Sequence, residues 1–213
     1  MPLALHPYNG LNIHHKEHRM HIDFGPVDRE EKKLLEIAAQ YSVDDLRAAT
    51  NESIDRLLGY LDGLIDADIA YPPLDPLADD PYAKPGEEKI GWGIGHLVVH
   101  VTASSEETAA IASILARGIP FEGRLRYETP WETVTTVAQC VQRLEESRRM
   151  RLASLDMWPD QPFLDVLRTL SPRFVEKFGE MNATATFLFG LKHEVGHYAQ
   201  FEDVRQQALA ARA

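Results

Sequence analysis

Leu191-Lys192-His193-Glu194-Val195-Gly196-His197-Tyr198-Ala199-Gln200 follows directly on Phe187-Leu188-Phe189-Gly190. On a helix, residues four apart share a face, so His193 and His197 can aim two imidazoles at one metal ion. Two ligands leave a site incomplete, because a catalytic zinc usually takes three protein ligands plus water. The aromatic and aliphatic neighbours predict a buried helix rather than a solvated one. Gly190 and Gly196 each cost about 1 kcal/mol of helix propensity relative to alanine. Glycines inside a helix point to close approach of another backbone or of a ligand.

A second pair with the same spacing lies upstream, in Trp92-Gly93-Ile94-Gly95-His96-Leu97-Val98-Val99-His100-Val101. His96 and His100 interleave with aliphatic residues, which places at least one imidazole in a buried setting. A buried imidazole without a partner costs free energy, and a shared metal would satisfy several at once.

The rest of the chain reads as helices separated by breakers. A short helix is expected from about residue 27 to Gln40. Ser42 or Asp44 is placed to cap a long one running through Leu46, Ile54, Leu57, Leu61 and Leu64. Five prolines between Tyr71 and Lys89 exclude helix there. A helix over roughly 90–117 stops at Gly118-Ile119-Pro120. Thr129-Pro130-Trp131-Glu132 has the pattern of a helix start, and Trp158-Pro159 that of its end. A short helix is expected at 164–170 and a final one over 183–211. No strand-like alternation stands out. The fold class expected is all-α, a four-helix bundle occupying residues 43–213, with an N-terminal extension (arm and short helix) over 1–42.

Composition narrows the function. The 213 residues are 44% hydrophobic and carry a formal net charge of -11. An acidic chain has no basic face for phosphates, so no nucleic-acid partner is expected. No apolar run reaches the ~18 residues that span a bilayer, so no membrane partner is expected either. The N-terminus lacks the features of a signal peptide. Cys140 is the single cysteine, reads as a small core residue, and allows no internal disulfide. A cytoplasmic location fits all of this. Of nine histidines, His6, His14, His15, His18 and His21 fall in the arm and read as exposed loop residues.

His193-Glu194-Val195-Gly196-His197 also spells HExxH, the zinc metallopeptidase signature, with Glu194 as general base. The extended form of that signature needs Gly at 200 and His at 203; this chain has Gln200 and Asp203. The alternative takes the third ligand from the earlier helix. Trp92, followed eight residues later by His100, resembles the second helix of the DinB/YfiT-like family. That family's last helix carries HxxxHxGQ, and His193 to Gln200 matches it except that Ala199 replaces glycine. The resemblance covers about residues 43–207. It implies a four-helix bundle holding a divalent metal through His100, His193 and His197, with nickel or zinc first and iron or manganese next. It also implies a small-molecule substrate, a reaction of the hydrolase or low-molecular-weight thiol transferase kind, and a homodimer. Glu194 is the candidate catalytic acid/base, with Glu107 read as an ordinary surface glutamate. Gln200 and His96 are expected behind the ligands; His96 is also a possible fourth ligand, which would close the site. A metal-binding bundle with no reaction remains the third reading.

Overall fold

A computed structural model describes residues 22–76, 78–80, 83 and 85–212. The five histidines of the N-terminal arm lie outside these. The described chain forms eight α-helices: α1 (Gly25–Asp28), α2 (Leu34–Ala38), α3 (Val43–Gly59), α4 (Asp66–Ile69), α5 (Ile94–Ala116), α6 (Val137–Asp156), α7 (Pro172–Phe178) and α8 (Ala183–Arg212). The four long ones, α3, α5, α6 and α8, make the expected bundle, and among the described residues the only β-pairing is an isolated bridge between Glu122 and Thr169.

Local chemistry explains where the helices start. Ser42 caps α3 by accepting from Asp45 N at 3.3 Å, while the Asp45 carboxylate accepts from Ser42 N at 2.8 Å. Three expectations need correction. The helix expected from about residue 27 to Gln40 is two short ones, α1 and α2, parted by Glu30 at a φ of 58°. Thr129-Pro130 opens only a single 3-10 turn, Trp131–Thr133. The helix proper starts after Thr136, which exchanges hydrogen bonds with Gln139 in a second capping box. The segment 164–170 is not helical. Its Arg168 N donates to Met181 O at 2.8 Å and its Thr169 N to Phe121 O at 2.9 Å. The short helix forms downstream instead, where Ser171 supplies the cap and Pro172 the pre-set first position.

Helix α5 is buried around nearly its whole circumference and packs most extensively against α8. Small residues bring the two axes close. A Cβ at Gly190 would overlap Thr108 Oγ1 and stand 3.0 Å from Ser105 Cα. Gly196 meets nothing within 4 Å, so the close approach expected of both glycines holds for Gly190 alone.

The core is divided in two. One apolar cluster runs on α3 to Ala49, on α5 from Ala109, on α6 at Leu155 and on α8 to Leu191. The other takes Ile54 and Leu57 of α3, α5 up to Val101, Cys140 and Leu144 of α6, and α8 from Tyr198. Between them every long helix contributes polar residues: Thr50 and Ser53, Thr102 to Thr108, Ser147 and Arg151, His193 and Glu194. A polar layer thus crosses the bundle at mid-height. The first cluster also includes Ile22, Phe24, Leu34 and Ile37, so the described part of the N-terminal extension is built into the bundle core.

Gly190→Ala is expected to lower stability by about 1–3 kcal/mol despite alanine's better helix propensity, because the added methyl meets backbone. Gly196→Ala is expected to be neutral or to stabilise by up to about 1 kcal/mol. Urea denaturation of the two variants measures both; equal effects would contradict the packing described here.

Candidate metal centre

The polar layer sets the rotation of α8. Glu194 and Tyr198, one turn apart, face inward. Glu194 is fully buried, and its two carboxylate oxygens accept from Arg151 Nη1 of α6 at 3.0 and 3.1 Å. Ser53 of α3 donates to the same carboxylate at 2.5 Å and lies 2.8 Å from the Tyr198 hydroxyl. With the Ser53 proton committed to Glu194, the phenol is the donor to Ser53. Burial, with the Glu194 charge beside it, raises the Tyr198 pKa and keeps that proton on.

A quarter-turn round the helix, about 100° per residue, the second stripe of α8 faces α5. His193 Nε2 lies 3.2 Å from His100 Nε2 and 3.3 Å from His197 Nε2. One ligand atom from each of the three lies within 4.8 Å of the others, the arrangement of a group that could hold a metal ion. Imidazole nitrogens bound at about 2.0–2.1 Å to a tetrahedral ion stand about 3.3–3.4 Å apart, which is the spacing found for the two close pairs. Without a cation the convergence is costly, since neutral imidazoles meeting through Nε2 can share protons but cannot satisfy three lone pairs. The residues fit a divalent metal.

The far side of each ring differs. His197 Nδ1 lies 2.9 Å from Gln200 Oε1. An amide oxygen only accepts, so His197 carries its proton on Nδ1 and presents a bare Nε2 inward. His193 Nδ1 is buried without a partner among the described residues. His100 Nδ1 lies 3.2 Å from Arg126 Nη2 and 3.7 Å from Glu128 Oε1. Burial, then repulsion from His197 and His100, lowers the His193 pKa to about 3. That of His197 is lowered too, by burial first, against the raising effect of Gln200. Both rings are neutral, as ligands must be.

His96 stands outside the three-histidine group. Its ring is sandwiched between the indoles of Trp92, at 4.6 Å, and Trp131, at 4.8 Å and nearly parallel. Burial, and then the neighbouring His100, lowers its pKa to about 4. Trp92 also packs on His100 at 4.4 Å and on His197 at 6.0 Å. His96 is thus part of an aromatic wall, with Trp92 packed against both it and the three-histidine group.

Glu194 is not brought to the histidine cluster; its carboxylate is held by Arg151 and Ser53 on the other stripe of α8. Asp203 and Glu202 hydrogen-bond Gln207 and Gln206, one turn on along their own helix. The third histidine of the cluster comes from α5. Glu107, expected at the surface, is buried. It accepts from Arg124 Nε and Nη2, both at 2.8 Å, and from Leu125 N at 2.9 Å. Arg126, Glu128 and Arg151 were not expected at all. The alternation of charged and apolar residues in Arg124-Leu125-Arg126-Tyr127-Glu128 is the signal of an extended segment that could have drawn attention to the first two.

A model of the DinB superfamily matches residues 79–201. The chain belongs to the DinB superfamily. No curated protein and no solved structure matches it. The match spans α5, α6 and the first two-thirds of α8, hence all three histidines of the cluster. A three-histidine group in a DinB-type bundle fits a metal-binding member of the superfamily. No described helix is long and apolar enough to cross a membrane.

Removing one partner of a fully buried ion pair leaves an uncompensated charge. Arg151→Ala is expected to cost about 3–5 kcal/mol, while joint replacement of Arg151 and Glu194 by apolar residues of similar size is expected to cost less. Denaturant unfolding of the single and double variants reads the difference; an equal or larger loss in the double variant counts against it. In the unfolded chain His96 and His193 take up protons near 6.5, and in the folded metal-free protein only near 4 and 3. The unfolded state then binds more protons throughout this window, so stability decreases as pH falls from about 6.5 towards 4. The Tm of metal-stripped protein, followed from pH 7 to 4.5, is expected to drop; a flat profile would show that these rings are not desolvated.

Proposed function

We propose that this DinB-superfamily protein is a metal-dependent enzyme that acts on a small-molecule substrate at a divalent ion held by His100, His193 and His197. The observation carrying this reading is the convergence of three imidazoles from two helices on one point. Three neutral ligands leave a bound ion its full charge and room for a further ligand. Nickel or zinc is the first candidate, and iron or manganese the next, since all accept imidazole.

The chemistry such an ion would supply is acidification of a bound water or thiol, which makes hydrolysis and low-molecular-weight thiol transfer the two reactions proposed. The chain's own residues do the rest. Gln200 holds His197 in the ligating tautomer. The Trp92 indole fixes the planes of His100 and His197. Trp92, His96 and Trp131 present an aromatic wall beside the histidines, suited to excluding water and to seating an apolar or planar part of a substrate. Glu194 is proposed as a structural anchor rather than as the acid/base residue. A peptidase mechanism would need it turned to the ion, and it is occupied by Arg151 and Ser53.

Elemental analysis of the full-length protein is expected to lose about one divalent ion per chain on passing from wild type to His100→Ala. Taking the difference cancels any metal held by histidines of the N-terminal arm. No loss in His100→Ala would refute the two-helix site. Metal-loaded wild type should then hydrolyse activated esters or amides, or conjugate a thiol to an electrophile such as a haloalkane or epoxide. The His100→Ala variant should do neither. Stoichiometric metal without either turnover would leave a metal-binding bundle in place of an enzyme.

A further inference from the structure

Of the three imidazoles at the centre, His100 alone has two chemically opposite neighbours behind it, and both come from one short segment. Residues 124–129 form a strap that runs alongside α5 towards the turn at Trp131–Thr133, meeting Glu107, Ser104 and His100 in order. Alternate residues of the strap face opposite ways, as in any extended chain. Leu125, Tyr127 and Thr129 line a groove of about 320 Å³ together with Val99, Ala103 and Met150. Arg126 and Glu128 turn to the histidine side. Arg124 pins the start of the strap to buried Glu107.

The hydrogens of Arg126 can be counted. Nη1 donates to Ser104 Oγ. Nε donates to Glu128 Oε2 at 3.0 Å, and Nη2 to the same oxygen at 2.6 Å. The one hydrogen remaining on Nη2 faces both the His100 carbonyl oxygen, at 3.3 Å, and His100 Nδ1, at 3.2 Å. Both bonds from Arg126 to Glu128 land on Oε2, which leaves Oε1 free, and Oε1 is the oxygen 3.7 Å from His100 Nδ1. Two proton arrangements follow. With the His100 proton on Nδ1, it points at Glu128 Oε1, Arg126 serves the carbonyl, and Nε2 is bare. With the proton on Nε2, it is donated to His193 Nε2, and Nδ1 accepts from Arg126. Only the first can ligate a metal through Nε2.

We propose that Glu128, held in place by Arg126, is the positioning residue that selects the ligating tautomer of His100 and so controls the metal affinity of the centre. This rests on the three-histidine metal reading above. Gln200 does the same for His197 through a 2.9 Å hydrogen bond to a neutral amide oxygen, whereas Glu128 acts through its negative charge, 3.7 Å from His100 Nδ1 and beyond hydrogen-bond length.

The decisive variant is Glu128→Gln. With one end of the amide accepting from Arg126, its NH2 turns a donor towards His100 and favours the wrong tautomer. Zinc affinity of metal-stripped, full-length protein, measured by competition with a chromogenic chelator, is expected to fall about 10–100-fold. The 15N shifts of the His100 ring in metal-free protein are expected to move towards the Nε2–H form, a change that loss of mere strap packing would not produce. Glu128→Asp keeps the charge and should fall between wild type and Glu128→Gln. The proposal is overturned if Glu128→Gln binds zinc within twofold of wild type, if the His100 tautomer is unchanged, or if the Asp variant is as weak as the Gln variant. Wild type that takes up no zinc would refute the metal reading instead, and the ring shifts would still decide whether Glu128 governs His100.

Discussion

The buried ion pair between Glu194 of α8 and Arg151 of α6 is the constraint from which the rest of the centre follows. A carboxylate with no exposure to water is stable only if its partners are held to it, so α8 has one acceptable rotation about its axis. In that rotation Glu194 and Tyr198 look into the bundle towards Ser53 and Arg151. His193 and His197 then look at α5. Translation along the axis is limited as well, because Gly190 has to meet Ser105 and Thr108. With turn and height both set, His100 of α5 comes into register with the α8 pair to within hydrogen-bonding distance.

The division of the core into two apolar clusters gives this constraint its setting. Each cluster could tolerate small slips of one helix against another, since dispersion and apolar burial are not directional. The polar layer between them cannot, because hydrogen bonds fail within a few tenths of an ångström and a few tens of degrees. A bundle closed above and below by aliphatic residues, with charged and hydroxyl groups across its middle, positions three imidazoles more narrowly than a uniformly apolar one would. The strap over residues 124–129 extends the same arrangement outward. Glu107 holds its start from within the layer, and Arg126 and Glu128 carry polar contacts to the back of His100.

Much of this was readable in the order of residues. The i, i+4 spacing of His193 and His197 and the capping boxes at Ser42 and Thr136 are short-range patterns. So is the proline content of the 71–89 loop. They depend on helix geometry and on nothing far away in the chain. The misread elements show where such patterns stop. Thr129-Pro130 has every feature of a helix start but makes one turn only, because the strap before it and Gly95 packed beneath Val134 claim that region. Leu164 to Leu170 carries helix-compatible residues, yet its backbone is engaged by Phe121 and Met181, partners distant in sequence.

The sequence by itself determined the class of fold, the superfamily and three of the four long helices to within a few residues. It also pointed to the three histidines, since helical periodicity and family motifs are carried by near neighbours. Tertiary structure decided the roles. HExxH assigns Glu194 to the metal by its letters alone, but the side chain lies about 100° round the helix from His193. Whether that direction points to the ion or to the core depends on which helix lies there. Arg151, 43 residues away, supplies the answer. Arg126 and Glu128 reach His100 only because the 124–129 strap runs alongside α5. Contacts of that range arise from packing, and no local spacing encodes them.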